Sequence, residues 1–405
     1  MNKIQLVRDV YYVGVNDRRT DFFENHIQLP NGVSYNSYLI MDEKVALIDP
    51  VEVGFIGQFL ANVRSILDGR SVDYLIVNHA EPDHSGSIAL LQKEFPEMQV
   101  VGNAKTFAPL EAFYGVLQNK KVVADSETLS LGKHTLQFFT APMVHWPESM
   151  VTFETTNGIL FSNDAFGGFG ALNGSIFDDQ VDLACYEDDM RRYYANIVGK
   201  VAMPASKAIN RLSALGIKMI APSHGLIWRS DLQWVISRYL RWSGHQGEEG
   251  VVIAYGSMYG NTAAMAEIIA RGVADAGVRN IRVYDVSRTE SSFIISDIWK
   301  YKGVVLGACA HYGSMFPNMA LLVHEIEHFK PQNKVYGLFG GMSWSGGGVS
   351  TLSKHATEAQ WQLAADPVEV KGAPIREEDI ERLYAMGHAI GEAVRLKIEN
   401  GKLKI

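Results

Sequence analysis

The chain has 405 residues, of which 47% are hydrophobic and 20% charged, with a formal net charge of −8. That length exceeds one typical core and implies two or three domains; the acidic balance argues against a nucleic-acid partner. No apolar run approaches the roughly 20 residues needed to span a bilayer, and residues 1–9 lack the apolar core of a signal peptide, so no membrane partner is expected.

Cys185 and Cys309 are the only cysteines and lie far apart. No disulfide framework or thiolate cluster is expected, and a reducing cytoplasm is the expected location. Any iron must then be held by nitrogen and oxygen.

The N-terminal part opens with β-rich segments at 10–14, 37–40 and 45–49. Next come a helix over 55–67, a strand over 74–77, and a helix over 85–93 capped by Ser85 or Asp83. Residues 136–140, 150–153 and 159–162 read as further strands, and 181–197 and 232–242 as helices. The polar stretch 243–250 reads as the linker, placing domains at 1–248 and 249–405. Beyond it, strands at 251–255, 281–284, 303–307 and 335–340 alternate with helices at 262–276 and 377–398. Such alternation implies a parallel sheet covered on both faces, with ligands at the carboxyl ends of its strands.

The densest chemistry follows the strand at 74–77, in His79-Ala-Glu81-Pro-Asp83-His84. One histidine ending a strand is most often structural. Four potential ligands beside a buried strand need something to satisfy them. On an extended segment, residues two apart point the same way, which groups His79, Glu81 and Asp83, while His84 reaches the other side of a dinuclear centre. His145, Asp164 and His224 each closely follow an apolar segment. Together these seven suffice for two metal ions, because one aspartate can bridge both.

The pattern resembles the metallo-β-lactamase superfamily, whose hydrolases carry H-x-H-x-D-H, with Glu81 in place of the second histidine. The swap adds an anionic donor, so that Glu81, Asp83 and a bridging Asp164 contribute three negative charges. That favours a metal pair rising from divalent to trivalent, from which zinc gains nothing. H-x-E-x-D-H with the later His, Asp and His matches the flavodiiron proteins. The strings Gly32-Val-Ser-Tyr-Asn-Ser-Tyr-Leu, Met143-Val-His-Trp-Pro-Glu-Ser, Tyr193-Tyr-Ala-Asn-Ile and His224-Gly-Leu-Ile-Trp-Arg are similar to that family as well. The fold so implied is α/β: a metallo-β-lactamase-like αββα sandwich followed by a flavodoxin-like doubly wound parallel sheet.

In the second half, Gly256-Ser257-Met258-Tyr259-Gly260-Asn261-Thr262 joins a strand to a helix. Ser257, Thr262 and the loop N–H groups suit a phosphate at the helix N-terminus. No lysine precedes Thr262, which excludes an ATP-binding P-loop, and the dinucleotide G-x-G-x-x-G spacing is absent. The loop resembles the flavodoxin phosphate loop, with Tyr259 where a threonine usually stands. Two later loops, through Ala310-His311-Tyr312-Gly313 and Ser343-Trp344-Ser345-Gly346-Gly347, supply small residues and aromatics suited to a flat ring. The expected cofactors are therefore FMN and two non-haem irons.

The resemblance implies four-electron reduction of O2 to water, or two-electron reduction of two NO to N2O, with electrons passing from FMN to iron. It also implies a head-to-tail homodimer or a dimer of such dimers. No rubredoxin-like cysteine knuckle follows residue 405, so a separate donor is expected: rubredoxin, a flavoprotein reductase or a reduced deazaflavin. His26 and Tyr194 are further catalytic candidates, against the plainer readings of a surface histidine and a packed helical aromatic. Two rivals stand beside this reading: a zinc hydrolase with a flavodoxin domain, and an electron carrier with a structural metal.

Overall fold

The computed structural model describes residues 3–358 and 361–402. The chain divides into two compact units, with the division between Leu240 and Arg241.

The first unit contains two main sheets. One has seven strands in the order Ile4–Val7, Val10–Tyr12, Tyr38–Ile40, Ala46–Ile48, Tyr74–Ile76, Gln99–Gly102 and Lys120–Val122. Its first four strands pair antiparallel, and the remainder are parallel. The other has five, Thr128–Ser130, Thr135–Thr140, Met150–Glu154, Ile159–Asn163 and Met219–Pro222, with only the last pair parallel. Strands 150–154 and 159–163 are buried throughout, which explains their near-continuous apolar sequence. Asn78, just past strand 74–76, ties the sheets together: its backbone oxygen accepts from Met150 N at 2.9 Å and its side-chain oxygen from Thr152 Oγ1 at 2.7 Å. The loops that follow 74–76, 159–163 and 219–222 carry six of the seven expected metal ligands, and His145 comes from the turn before 150–154.

Three expected elements differ. The helix expected from Ser85 begins at Pro82 as a single turn, Pro82–Ser85, and resumes at Ile88–Glu94. Proline at the first helical position supplies the fixed φ that starts it, and Glu81 stays extended as the N-cap. The long helix expected over 181–197 is an α-helix (Leu183–Tyr193) followed by a π-helical segment (Tyr194–Val198), with a separate 3-10 turn just before it at Asp178–Gln180. In the π-helical segment, Gly199 N–H reaches back five residues to Tyr194 O. The stretch 243–250 is no open linker: one helix ends at Ser243 and the next strand begins at Glu248, so the 248/249 boundary falls on that strand.

In the second unit the parallel strands run Ile281–Asp285, Glu248–Gly256, Tyr301–His311, Val335–Met342, then Gln362–Leu363 and Val368–Lys371 against the last. This is the doubly wound order whose switch point lies between the first and third strands in sequence. Val251, Ile253, Val305 and Phe339 form its core with Met265, Ile269 and Ile390 from helices Asn261–Asp275 and Glu377–Lys402. No helix among the described residues is long and apolar enough to cross a membrane.

Candidate functional site

All seven expected ligand residues meet in the first unit, as two groups: His79, Glu81, His145 and Asp164; and Asp83, His84 and His224. Asp164 joins them. Its Oδ2 lies 3.5 Å from His79 Nε2 and 3.4 Å from His145 Nε2, while its Oδ1 lies 2.9 Å from His84 Nε2 and 3.5 Å from His224 Nε2. Glu81 Oε2 completes the first group at 3.2 Å from His79 and 3.0 Å from His145. Asp83 Oδ2 completes the second at 3.2 Å from both His84 and His224.

The expectation that Asp83 shares a side with His79 and Glu81 is therefore corrected. Extended geometry ends at Glu81; the helical turn from Pro82 rotates Asp83 and His84 together to the far side of Asp164.

These groups fit metal ions. Donors about 2.0–2.2 Å from one centre lie roughly 3 Å apart, as these do. Asp83 Oδ1 and Oδ2, Asp164 Oδ2 and His224 Nε2 are buried without hydrogen-bond partners among the described residues. Such orphans are costly in protein interiors unless a cation takes them. The protonation pattern says the same. Burial disfavours charge on Asp164, yet His84, His145 and His79 outweigh it and hold the carboxyl well below its usual range. Burial likewise opposes charge on the histidines. The Asp83 and Asp164 charges still push His84 up to about 9, and hydrogen bonds to Asp164 and Glu81 do the same for His145. The same carboxylates that raise these histidines favour positive charge at the centre of each group.

Outer partners fix the rings. The His79 Nδ1–H donates to Glu148 Oε1 at 2.7 Å, and the His224 Nδ1–H to Ser34 O at 2.7 Å. Glu148 also accepts from Ala80 N at 3.1 Å. A second partner of this kind sets which nitrogen faces a metal. Glu148 had no role in the sequence reading, although it closes the Met-Val-His-Trp-Pro-Glu string; its reach to His79 is invisible in spacing.

The two catalytic candidates lie elsewhere. Tyr194 turns its ring to Tyr239 at 5.0 Å. Its neighbour Tyr193 faces the ligands, 5.4 Å from the His224 ring, fully buried, with a hydroxyl lacking any partner among the described residues. His26 is exposed on a hairpin turn, its Nδ1 3.1 Å from Glu24 O, and joins neither ligand group. Glu24 stands on the same turn. Burial, then the charge and hydrogen bond of Glu81, push its carboxyl up to about 7.

In the second unit the expected loops sit at the ends of adjoining strands. Gly260, at φ 92°, is the N-cap of helix Asn261–Asp275 and donates its N–H to Ser257 Oγ at 3.1 Å; Thr262 is buried. Ala310 and His311 end strand 301–311, followed by Tyr312 and Gly313; Ser343, Trp344, Ser345, Gly346 and Gly347 follow strand 335–342. The later loops touch: at Gly347 (φ 130°) a Cβ would lie 2.3 Å from the Gly313 backbone, so only glycine fits. Tyr259, Tyr312 and Trp344 are 93%, 85% and 81% exposed, and Met258 stands partly exposed beside them.

Residues 33–225 match the family described as ODP family beta lactamase, and residues 253–383 match Flavodoxin. The chain is 33% identical over 395 residues to a nitric oxide reductase of Moorella thermoacetica, covering 96% of this chain and 98% of that one. Among solved structures, the rubredoxin oxygen:oxidoreductase of Desulfovibrio gigas superposes with a TM-score of 0.94 at 31% identity, over 98% of this chain and 100% of its own. The flavodiiron protein of Giardia intestinalis superposes equally well, with a TM-score of 0.94 at 27% identity, over 99% and 98% of the two chains.

Proposed function

The chain belongs to the flavodiiron proteins, and on that premise we propose how its residues perform the family's reaction. It is an oxidoreductase that reduces O2 to water, NO to N2O, or both, using a non-haem diiron centre and FMN. The hydrolase alternative is not favoured, because the similar chains are reductases. In our reading His79, Glu81 and His145 would hold one iron and Asp83, His84 and His224 the other, with Asp164 shared by the two groups. The observation that carries it is Asp164, whose two oxygens each address a different set of histidines.

Bound in these places, FMN supplies electrons singly and the iron pair binds and reduces the gas. The protein's part is to hold, orient and dry the site. Three carboxylates offset the positive charge of the metals, and Glu148 and Ser34 keep His79 and His224 in the metal-facing tautomer. Phe23 and Phe169 wall the His224 side together with Tyr193. The Tyr193 hydroxyl, without a partner among the described residues, would be available to donate a hydrogen bond to bound substrate.

Ser257–Thr262 hold the FMN phosphate through N–H groups at the helix N-terminus, and the loops 310–313 and 343–347 flank its ring. A separate donor supplies the electrons: rubredoxin, a flavoprotein reductase or a reduced deazaflavin. The name of the D. gigas relative favours the first. A head-to-tail homodimer, alone or paired, places the FMN of one copy beside the irons of the other, in the cytoplasm.

The test is anaerobic turnover with NO, and separate turnover with O2, using reduced rubredoxin, alongside metal and FMN quantification. The reading expects two irons and one FMN per chain, with consumption of at least one gas. Zinc in place of iron, with no gas consumed after iron reconstitution, would overturn it. Tyr193→Phe is expected to keep its iron while slowing turnover about 10-fold or more; unchanged turnover removes that role.

A further inference from the structure

Beside the ligand cluster of the first unit lies a small apolar cavity of about 20 Å³, room for one molecule about the size of water. Its floor is one face of the five-stranded sheet. Phe153 pairs with Leu160, and side chains two apart on a strand point the same way, so Val151 and Leu160 share that face. Its roof is helix Ala202–Leu212, whose Ala205, Ala208, Ile209 and Leu212 recur at the three- and four-residue spacing of one helical stripe. The two alanines leave a gap that larger side chains would close. Protein interiors hold few voids larger than a water, and such voids cost stability.

The wall offers water nothing. Ser162 and Tyr239 are its only polar side chains among the described residues, and both are committed. The Ser162 hydroxyl donates to Ala165 O at 2.7 Å, and the Tyr239 hydroxyl to Gly167 O at 3.3 Å. A buried water needs several polar partners, whereas a dry cavity takes small apolar molecules. Position adds a second observation. Val144 immediately precedes His145, and Ala165 immediately follows Asp164, so two segments of the wall run directly into ligand residues.

We propose that this cavity is a docking site for the diatomic substrate, O2 or NO, on its way to the ligand cluster. Both gases are small and apolar, so they leave water readily for such a space. The gap beneath Ala205 and Ala208 then raises the local concentration of gas beside His145 and Asp164. This inference deepens the reaction proposed above and rests on it.

In the experiment, crystals of the iron-loaded, full-length protein are pressurised with krypton and, separately, with xenon. A noble-gas peak among Val144, Ala165 and Ala205 is expected. Its absence with both gases would overturn the proposal and leave an ordinary packing void. Ala205→Val and Ala208→Leu each fill the space, and each should lose the peak while keeping the parent's iron content. After reduction and mixing with limiting O2 or NO, each should capture gas about 3-fold or more slowly than the parent, with kcat at saturating gas unchanged, because only uniform binding is removed. Parent-like capture by an iron-loaded variant that excludes krypton would overturn the proposal too. Should one variant lose iron, the other carries the kinetic comparison. Noble-gas occupancy is read without turnover, and gas consumption by the unsubstituted protein tests the reaction by itself, so the two readings can fail separately.

Discussion

The ligand pocket of the first unit and the flavin loops of the second are prepared in opposite ways. His79, His84 and His224 are fully buried, and two of them are braced by outer partners, Glu148 and Ser34. Tyr259, Tyr312 and Trp344 stand almost wholly in water. Electrostatics accounts for the contrast. A buried charge is expensive alone and cheap in company, so a cation site must be assembled as a set. An exposed aromatic costs only its apolar area, about 25 cal/mol per Å², and can wait for a flat partner without support. The first site should therefore fail as a whole, and the second piece by piece.

Asp164→Asn is the strongest attempt to break that contrast. Losing the shared charge should strip both irons, taking the content from two per chain to below one and lowering turnover about 100-fold or more. FMN should remain at one per chain. Iron and flavin assays on the same sample check this, and retention of one full iron would show that the two groups are independent. Trp344→Ala probes the other side. FMN titration of the flavin-free protein should show about 10-fold weaker binding, the loss of one stacking contact, with iron content unchanged. Abolished FMN binding would mean that the loops also act as a set.

A smaller effect concerns pH. In the metal-free protein His84 and His145 have folded pKa values of about 9, raised from 6.5. Their stabilising contribution is fully present below pH 6.5 and is lost as pH climbs through about 9. Asp164, Glu81 and Glu148 are shifted down, so their contribution is present above their ordinary values and is lost in acid. The metal-free Tm should drop by a few degrees from pH 6.5 to 9, and iron loading should remove most of that slope. A flat metal-free profile would contradict the upward shifts of His84 and His145.

Much of this was readable in one dimension. His79, Glu81, Asp83 and His84 crowd six positions, and the later His145, Asp164 and His224 follow apolar runs, so their convergence could be anticipated. The partition of the ligands could not: it turns on Pro82, which ends the extended segment and starts a helix. Nor did spacing mark Glu148, whose contact with His79 joins segments distant in sequence. Nor was Tyr193 marked: Tyr194, the candidate, packs its ring on Tyr239, while its neighbour Tyr193 faces His224 where the chain passes from α- to π-helix.

That π segment makes residue count there as consequential as residue identity. Deleting one position within Tyr194–Val198 would let the helix close into ordinary α geometry and swing the preceding turns by about 100°. Tyr193 would leave the His224 ring, and Arg192 would lose its hold on Gln28 O. This stretch should accept exchanged side chains far more readily than a shortened backbone.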